Sequence, residues 1–120
     1  SGGLNNVMGA VLEGFRLRVG DPVPYNETHV KIPLLVEFTN KFPLTLDTTL
    51  TAQVISTPIL PTLGSYGSGS MMISAPSGQR FGGTLNIYLA KNAMGRGAYT
   101  FELNLTGQGF SYSWRVPLQG

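Results

Sequence analysis

Cysteine is absent from the 120 residues of this chain. The fold therefore has no disulfide, and thiol nucleophiles, cysteine-based zinc sites and iron–sulfur ligation are excluded. A chain of this length buries a sufficient core without such cross-links, so we expect a single domain. The absence of cysteine leaves the cellular compartment open, because exported proteins without cysteine are common.

Charge is scarce as well. Charged residues make up 12% of the chain, against about 25% in an average soluble domain. The eight basic residues are scattered along the sequence, whereas a nucleic-acid interface needs basic residues clustered on one face. We therefore expect no nucleic-acid partner, and a surface built mainly from Ser, Thr, Asn, Gln and Gly.

No apolar run reaches the roughly 18 residues that span a bilayer. The chain begins Ser-Gly-Gly without methionine, which is typical of a cloning remnant. Apolar residues at positions 4, 7, 8 and 11 then have helical spacing. We interpret residues 1–10 as such a remnant followed by the end of a membrane anchor or stalk, or by a frayed terminus. Residues 11–120 are predicted to form one domain.

The most regular pattern lies in residues 29–55. One parity of residues 29–39 is apolar and the other carries the polar residues His29, Lys31, Glu37 and Thr39, the period of a strand with one buried face. After a break at residues 40–43 the alternation resumes. We predict that the two strands pair as a long hairpin with Ile32, Leu34, Phe38 and Leu46 in the core. Pro33 has no N–H for a ladder, so its strand is predicted to be an edge or to carry a bulge.

Alternation recurs at residues 11–19, 71–74, 84–89, 98–105 and 110–116, between turn-rich stretches. No segment has a helical period long enough to connect parallel strands. The prediction is an all-β, antiparallel, seven-stranded sandwich of the immunoglobulin or fibronectin-III-like class.

Aromatic residues cluster near the end of the chain. Their shared inward parity favours core packing over a carbohydrate-stacking platform, and the set is Tyr99, Phe101, Phe110, Tyr112 and Trp114. Tyr66 lies outside it, in an irregular segment at residues 57–69 that is rich in Gly and Ser, and is the predicted exposed contact.

Residues with catalytic potential do not form a motif. His29 is the only histidine and lies on a polar parity, and no G-x-S-x-G elbow is present. Glu37 and Asp47 are expected near each other on the polar face of the hairpin, as an acid–base pair or cation ligands. An open sheet face provides no groove for the first role, and no single loop supplies several acids for the second. We expect no catalytic, cofactor or metal site.

Two segments match the N-glycosylation motif N-x-[ST]: Asn26-Glu27-Thr28 and Asn104-Leu105-Thr106. Asn26 lies in a predicted loop and Asn104 on the outward parity of a strand, so both are candidate glycan acceptors. With the low charge and the Thr-rich surface, they favour an extracytoplasmic domain over a cytoplasmic one.

Residues 36–46 read Val-Glu-Phe-Thr-Asn-Lys-Phe-Pro-Leu-Thr-Leu, an alternating strand that runs into Asn40 and a short apolar turn containing Pro43. This arrangement, with the glycine-containing segment at 67–77 and the strand at 84–89, resembles the LEA14 type of late embryogenesis abundant protein, also described as the water stress and hypersensitive response domain. The likeness covers about residues 11–90. The family usually has Asn-Pro at the turn, whereas here the proline is delayed.

The resemblance implies a seven-stranded sandwich without catalytic residues, associated with stress protection and, in prokaryotes, often held behind a membrane anchor. Independently of the family, Asn40 suits a turn, because Asn caps its own backbone and tolerates a left-handed φ. We predict a non-enzymatic module that binds unidentified proteins and meets the membrane only through an anchor.

Two other functions remain open. One is a subunit of a surface assembly, such as an archaeal filament, a pilus or an archaellum-associated protein, in which an open sheet edge takes a strand from a neighbour or a second copy. The other is a carbohydrate-binding module, which requires exposed aromatic residues.

Overall fold

A computed structural model describes residues 13–119 of the chain. Within that range the chain forms antiparallel strands and one short turn of 3-10 helix at Lys91–Ala93. The strands are β1 (Phe15–Val19), β2 (Val23–Pro24), β3 (His29–Thr39), β4 (Leu46–Ser56), β5 (Gly67–Ala75), β6 (Arg80–Ala90), β7 (Ala98–Gly107) and β8 (Phe110–Gln119). The all-β antiparallel class is confirmed, with the two-residue β2 added to the expected set. The stalk predicted at residues 1–10 lies outside the described residues.

The strands follow the order β1–β3–β6–β5–β4–β7–β8, and β2 pairs with β3 beyond the end of β1. Strand β5 pairs with β4 along its length but with β6 only at Gly67 and Ser68. The strands therefore separate between β5 and β6 into two sheets. The first sheet contains β1, β2, β3 and β6, and the second contains β5, β4, β7 and β8, as in an immunoglobulin or fibronectin-III-like sandwich.

Strands β3 and β4 do not pair, so the predicted hairpin is wrong. Strand β3 lies between β1 and β6 in the first sheet, and β4 lies between β5 and β7 in the second. Residues 40–45 form an arch from one sheet to the other. The alternation located the buried face of each strand correctly, but alternation carries no information about the neighbouring strand.

Pro33 does not mark an edge strand, because β3 has neighbours on both sides. Its main chain points to the side of β1, where its carbonyl accepts a hydrogen bond from the Gly20 N–H at 2.8 Å. The chain there has left β1 and has not yet entered β2. The missing N–H of Pro33 therefore coincides with an interruption of the neighbouring strand.

The core lies between the two sheets and is apolar. Ile32, Leu34, Phe38 and Phe101 are buried there. Leu46 and Trp114 are only partly buried against this core, and Tyr112 is 36% exposed. The predicted core position of the β8 aromatics is thus correct only in part, because β8 lies at the margin of its sheet.

The arch between the sheets is organised by Asn40, whose side chain is fully buried. Its Nδ2 donates to the carbonyls of Leu44 and Ala75, both at 2.8 Å, and its Oδ1 accepts from the Phe42 N–H at 2.9 Å. Its main chain bonds to the turn between β5 and β6. Asn40 does not use the left-handed φ expected of it, since positive φ among the described residues occurs only at glycines. Pro43 is exposed in the same arch.

Antiparallel pairing gives the sandwich two distinct ends. At the upper end, where β3 begins and β4 and β6 finish, lie segments 20–28, 57–66 and 91–97. At the lower end lie the arch and the tight turns at residues 76–79 and 108–109.

Candidate functional site

The two carboxylates predicted to approach each other are kept apart. Glu37 on β3 forms an ion pair of 2.7 Å with Arg80, and both side chains are more than half exposed. Asp47 on β4 accepts a hydrogen bond of 2.6 Å from Ser74 Oγ. The predicted proximity was based on the hairpin and is wrong for the same reason, since the two residues lie in different sheets.

His29 contacts a hydroxyl, with its Nδ1 2.8 Å from Thr28 Oγ1. A nucleophile–base pair needs a third group that orients the base. Between residues 13 and 119 no carboxylate is hydrogen-bonded to His29, and no group of three or more His, Cys, Asp or Glu side chains comes together. The contact is therefore a local hydrogen bond at the start of β3, without the third group that a nucleophile–base pair needs.

The two sheets meet along two seams, and the first joins β5 to β6. At its upper end the main chains pair directly, Gly67 opposite Leu89 and Ser68 opposite Tyr88. A Cβ on Gly69 would lie 2.0 Å from the Asn86 carbonyl oxygen, so only glycine permits this approach. At the lower end the hydrogen bonds of Asn40 close the seam.

The second seam lies between β1 and β8, which do not pair. Its lower end is closed by aromatic side chains, with ring centroids of Phe15 and Trp114 6.0 Å apart and those of Phe15 and Phe38 4.6 Å apart. Above these rings β1 ends at Val19. This seam is therefore held by side chains and is incompletely covered.

A cleft of about 520 Å³ lies at the upper end between the sheets. Its floor is formed by apolar side chains of both sheets, and its rim by residues 20–22 and 94–96; the floor residues are Val19, Ile32, Tyr99 and Phe101. Its volume lies in the range of small-molecule pockets. No motif in the sequence indicated it, because its walls come from four separate segments.

Tyr99 fixes one wall of the cleft. Its hydroxyl donates to the Gly95 carbonyl at 2.7 Å and accepts from the Gly95 N–H at 3.0 Å. A tyrosine at the start of a strand that bonds back to the connection before it is the tyrosine corner of immunoglobulin-like sandwiches. Its signal in the sequence is a glycine four residues before a tyrosine near the start of a strand.

Strand β8 is an open edge, since it pairs only with β7 among the described strands. The tight turn at Gln108 and Gly109 makes Gly107 and Phe110 the closing pair. Even-numbered residues of β8 therefore bond to β7, and odd-numbered residues point their N–H and C=O groups outward. Pro117 has the outward parity, where a missing N–H breaks no bond to β7.

Tyr66, predicted as the exposed contact, is partly buried against the core, and its hydroxyl donates to the Thr62 carbonyl at 2.6 Å. The two most exposed aromatic residues of the described chain are instead Tyr25 and Tyr88, 58% and 41% exposed, with ring centroids 4.7 Å apart. They meet because β2 lies beside β3 and β3 beside β6. That neighbourhood could not be inferred without the topology.

The two glycosylation motifs differ in their hydrogen bonds. Asn26 Oδ1 accepts from the Thr28 N–H at 3.0 Å, the Thr28 hydroxyl at 3.2 Å and the His29 N–H at 2.7 Å. Asn104 uses both ends of its amide. Its Nδ2 donates to Ser113 Oγ at 2.7 Å and Ser111 Oγ at 3.2 Å, while its Oδ1 accepts from the Thr106 hydroxyl at 2.5 Å.

Comparison with known proteins yields likenesses of structure only. No protein-family model matches the chain, and no curated protein matches it. The structure of a beta-glucuronidase from glycoside hydrolase family 2 is similar to it, with a TM-score of 0.60 and 14% sequence identity over 88% of this chain and 11% of that chain. This likeness supports the sandwich fold alone. The LEA14 resemblance stays a prediction.

Within the described part of the chain, no helix has the length and apolar character needed to cross a membrane.

Proposed function

We propose that this domain is a non-enzymatic, LEA14-like binding module that holds a protein partner by adding a strand of that partner to the open edge of β8. The observation that carries the proposal is the ten-residue length of this edge, whose only neighbour among the described strands is β7. Exposed strand edges are templates for pairing with another chain, and strand addition is a recurrent mode of peptide recognition.

The inner face of β8 supports the same assignment. Trp114, Val116 and Leu118 are only partly buried against the core. A strand added beside β8 would extend the second sheet over these side chains. The partner would then contribute apolar contacts as well as backbone hydrogen bonds, and we expect its strand to alternate apolar and polar residues.

The edge of the first sheet at β1 is a poorer acceptor. Strand β1 has five residues, and the Arg16 guanidinium donates to the Phe15 carbonyl at 3.1 Å. A charged side chain placed over an edge carbonyl competes with an incoming strand. Of these two edges, β8 is therefore the better acceptor.

The rest of the proposal follows from the surface. Glu37 and Asp47 are each engaged with another side chain, which supports a role in binding rather than catalysis. The low charge and the two glycosylation motifs support display on the extracytoplasmic side, behind a membrane anchor. Stress protection of the LEA14 type would then operate through captured proteins.

The alternative, a subunit of a surface assembly, uses the same edge with a second copy as the partner. It is tested by sedimentation velocity over a range of concentrations. Ser113→Pro removes an outward N–H at a position equivalent to Pro117, and Ser113→Ala is the matched control. Self-assembly predicts association of the wild type and of Ser113→Ala, and a monomeric Ser113→Pro with unchanged melting temperature. A monomeric wild type at every concentration excludes a second copy as the partner.

Amide hydrogen exchange tests the wider proposal with any partner. In the free domain the outward N–H groups of Ser111, Ser113, Arg115 and Gln119 should exchange faster than those of the intervening residues. Partner binding should protect the outward set selectively. Binding that leaves these four amides unprotected would contradict strand addition at β8.

A further inference from the structure

We infer that Asn26, and not Asn104, is the glycan acceptor of this domain, and that the first sugar of the glycan packs on the Tyr25–Tyr88 pair. This inference concerns the first sheet and the upper end, and it does not depend on strand addition at β8.

The amide of Asn26 is arranged for modification. Its Oδ1 accepts three hydrogen bonds from Thr28 and His29, which hold the side chain in place. Its Nδ2, the atom to which a glycan is attached, has no hydrogen-bond partner among residues 13–119. Asn26 and Thr28 are both exposed in the segment between β2 and β3. Glycosylation would therefore leave the existing hydrogen bonds of this turn intact.

Asn104 offers an internal contrast. Its Nδ2 is occupied by hydrogen bonds to Ser113 and Ser111. It lies in the middle of β7, which pairs with β4 on one side and β8 on the other. A transferase could reach this amide only if the strand left the sheet. The folded domain should therefore protect Asn104 while it presents Asn26.

Beside Asn26, apolar side chains are exposed in the part of the chain that the structure describes. Tyr25, Tyr88 and Val23 are all more than 40% exposed on the outer face of the first sheet, where Val23 is opposite Lys31 and Lys31 is opposite Tyr88. Exposed apolar side chains that lie together are candidates for a binding surface. A partner with apolar faces and solvated hydroxyls suits tyrosine rings, which are themselves apolar with a polar tip.

Carbohydrate has apolar faces and solvated hydroxyls. The position of Asn26 in the chain favours the glycan attached to this residue as the carbohydrate that packs on the tyrosine pair. Tyr25 directly precedes Asn26, so a sugar attached at Nδ2 begins beside the pair. An attached sugar is held there at a high effective concentration, whereas a free saccharide would have to overcome the entropy of association. The glycan of this chain is therefore favoured over a free sugar as the occupant.

The modification requires an oligosaccharyltransferase and a lipid-pyrophosphate-linked oligosaccharide. Nδ2 of Asn26 attacks C1 of the first sugar, and the N–C1 bond forms as the bond from C1 to the pyrophosphate oxygen breaks. The lipid pyrophosphate leaves with the electron pair, and the displaced amide proton passes to a carboxylate of the transferase.

The first experiment treats the folded 120-residue chain with a transferase that requires only N-x-[ST], together with its lipid-linked donor, and maps the product by mass spectrometry. We expect modification at Asn26 and none at Asn104. Synthetic peptides spanning each motif should both be modified, since neither is then protected by a fold. Thr28→Ala should abolish modification of the folded chain, and Thr106→Ala should leave it unchanged. Modification of Asn104 in the folded chain, or none at Asn26, would overturn the assignment.

The second experiment examines the packed sugar by NMR. In the glycosylated chain the C–H protons of the first sugar should be shifted upfield by the tyrosine rings. Tyr88→Ala should remove much of this shift, and Tyr112→Ala, at an exposed tyrosine of the other sheet, should preserve it. Unshifted sugar protons would refute the packing.

A titration separates the two sources of sugar. The Asn26→Gln chain, which carries no glycan there, is titrated with the free saccharide. Unchanged Tyr25 and Tyr88 resonances are expected. Saturable changes in these resonances, with unshifted protons in the attached glycan, would make the pair a site for free carbohydrate instead.

Discussion

The two seams of the sandwich are closed by different chemistry. Between β5 and β6 the contacts are made by main-chain atoms, by a glycine that admits a neighbouring carbonyl, and by the buried amide of Asn40. Between β1 and β8 they are made by the rings of Phe15 and Trp114, without strand pairing. One seam is fixed by direction-dependent hydrogen bonds, and the other by packing without directional bonds.

Because of this difference, we expect the β5–β6 seam to contribute mainly to stability and the β1–β8 seam to binding. At the upper end of the β5–β6 seam, the main-chain groups of Gly67 and Ser68 already pair with β6, so they are not available to a partner. The β1–β8 seam leaves an open edge, partly covered apolar side chains and a cleft at its upper end. The candidate surface for protein partners therefore lies where the fold is least completely closed.

The largest expected effect is at the lower end of the main-chain seam. Asn40→Ala removes three side-chain hydrogen bonds and leaves the Leu44 and Ala75 carbonyls and the Phe42 N–H without that partner. The bond to the Ala75 carbonyl is buried, and leaving such a group unsatisfied costs about 1 to 3 kcal/mol, while each of the two part-buried bonds contributes about 1 kcal/mol, so we expect a loss of about 4 kcal/mol in the free energy of unfolding. Urea denaturation measures it. Asn92→Ala, at an exposed position, should change stability by less than about 0.5 kcal/mol, and equal losses in the two variants would contradict this role of Asn40.

At the upper end of the same seam, Gly69→Ala places a methyl group against the Asn86 carbonyl oxygen. The clash is with main chain and is relieved only by separating β5 from β6, so we expect a loss of about 2 to 3 kcal/mol. Gly82→Ala in β6 is the matched control, since a Cβ there meets no atom within 4 Å. Its stability should stay within about 0.5 kcal/mol of the wild type. An unchanged free energy of unfolding in Gly69→Ala would show that β5 and β6 separate at little cost.

The sequence predicted the sandwich class and the buried parity of its strands. Its prediction of strand pairing is wrong where one alternating pattern is compatible with two arrangements of the strands. Alternation on both sides of Asn40 fits a hairpin and an arch equally well, and what distinguishes them is the strands with which β3 and β4 pair. The Gly and Ser content of residues 57–69 predicts a loop, whereas Gly67 and Gly69 lie within β5 and allow its close approach to β6.

The candidate sites show the same limit. Both glycosylation motifs are visible in the sequence, but the hydrogen bonds that separate Asn26 from Asn104 involve serines on another strand. Tyr25 and Tyr88 are 63 positions apart and meet only through the pairing of β2, β3 and β6. Local sequence patterns thus identify individual candidate residues. Which of these residues come together, and which hydrogen bonds they form, depends on the pairing of strands that are distant in sequence.

The smallest expected effect belongs to the side-chain seam. Trp114 contacts Phe15 and Tyr112 but is only partly buried. A fully buried aromatic costs about 3 to 5 kcal/mol on truncation, and a partly buried one retains less, so Trp114→Ala should cost about 2 kcal/mol. Phe101→Ala, buried opposite Val116, is the reference and should lose the full amount.

Since no backbone hydrogen bond depends on Trp114, its loss should loosen the β1–β8 seam alone. Faster amide exchange in β1 and β8, with β5 and β6 unchanged, would demonstrate that the two seams open independently, whereas a uniform rise would indicate one cooperative unit.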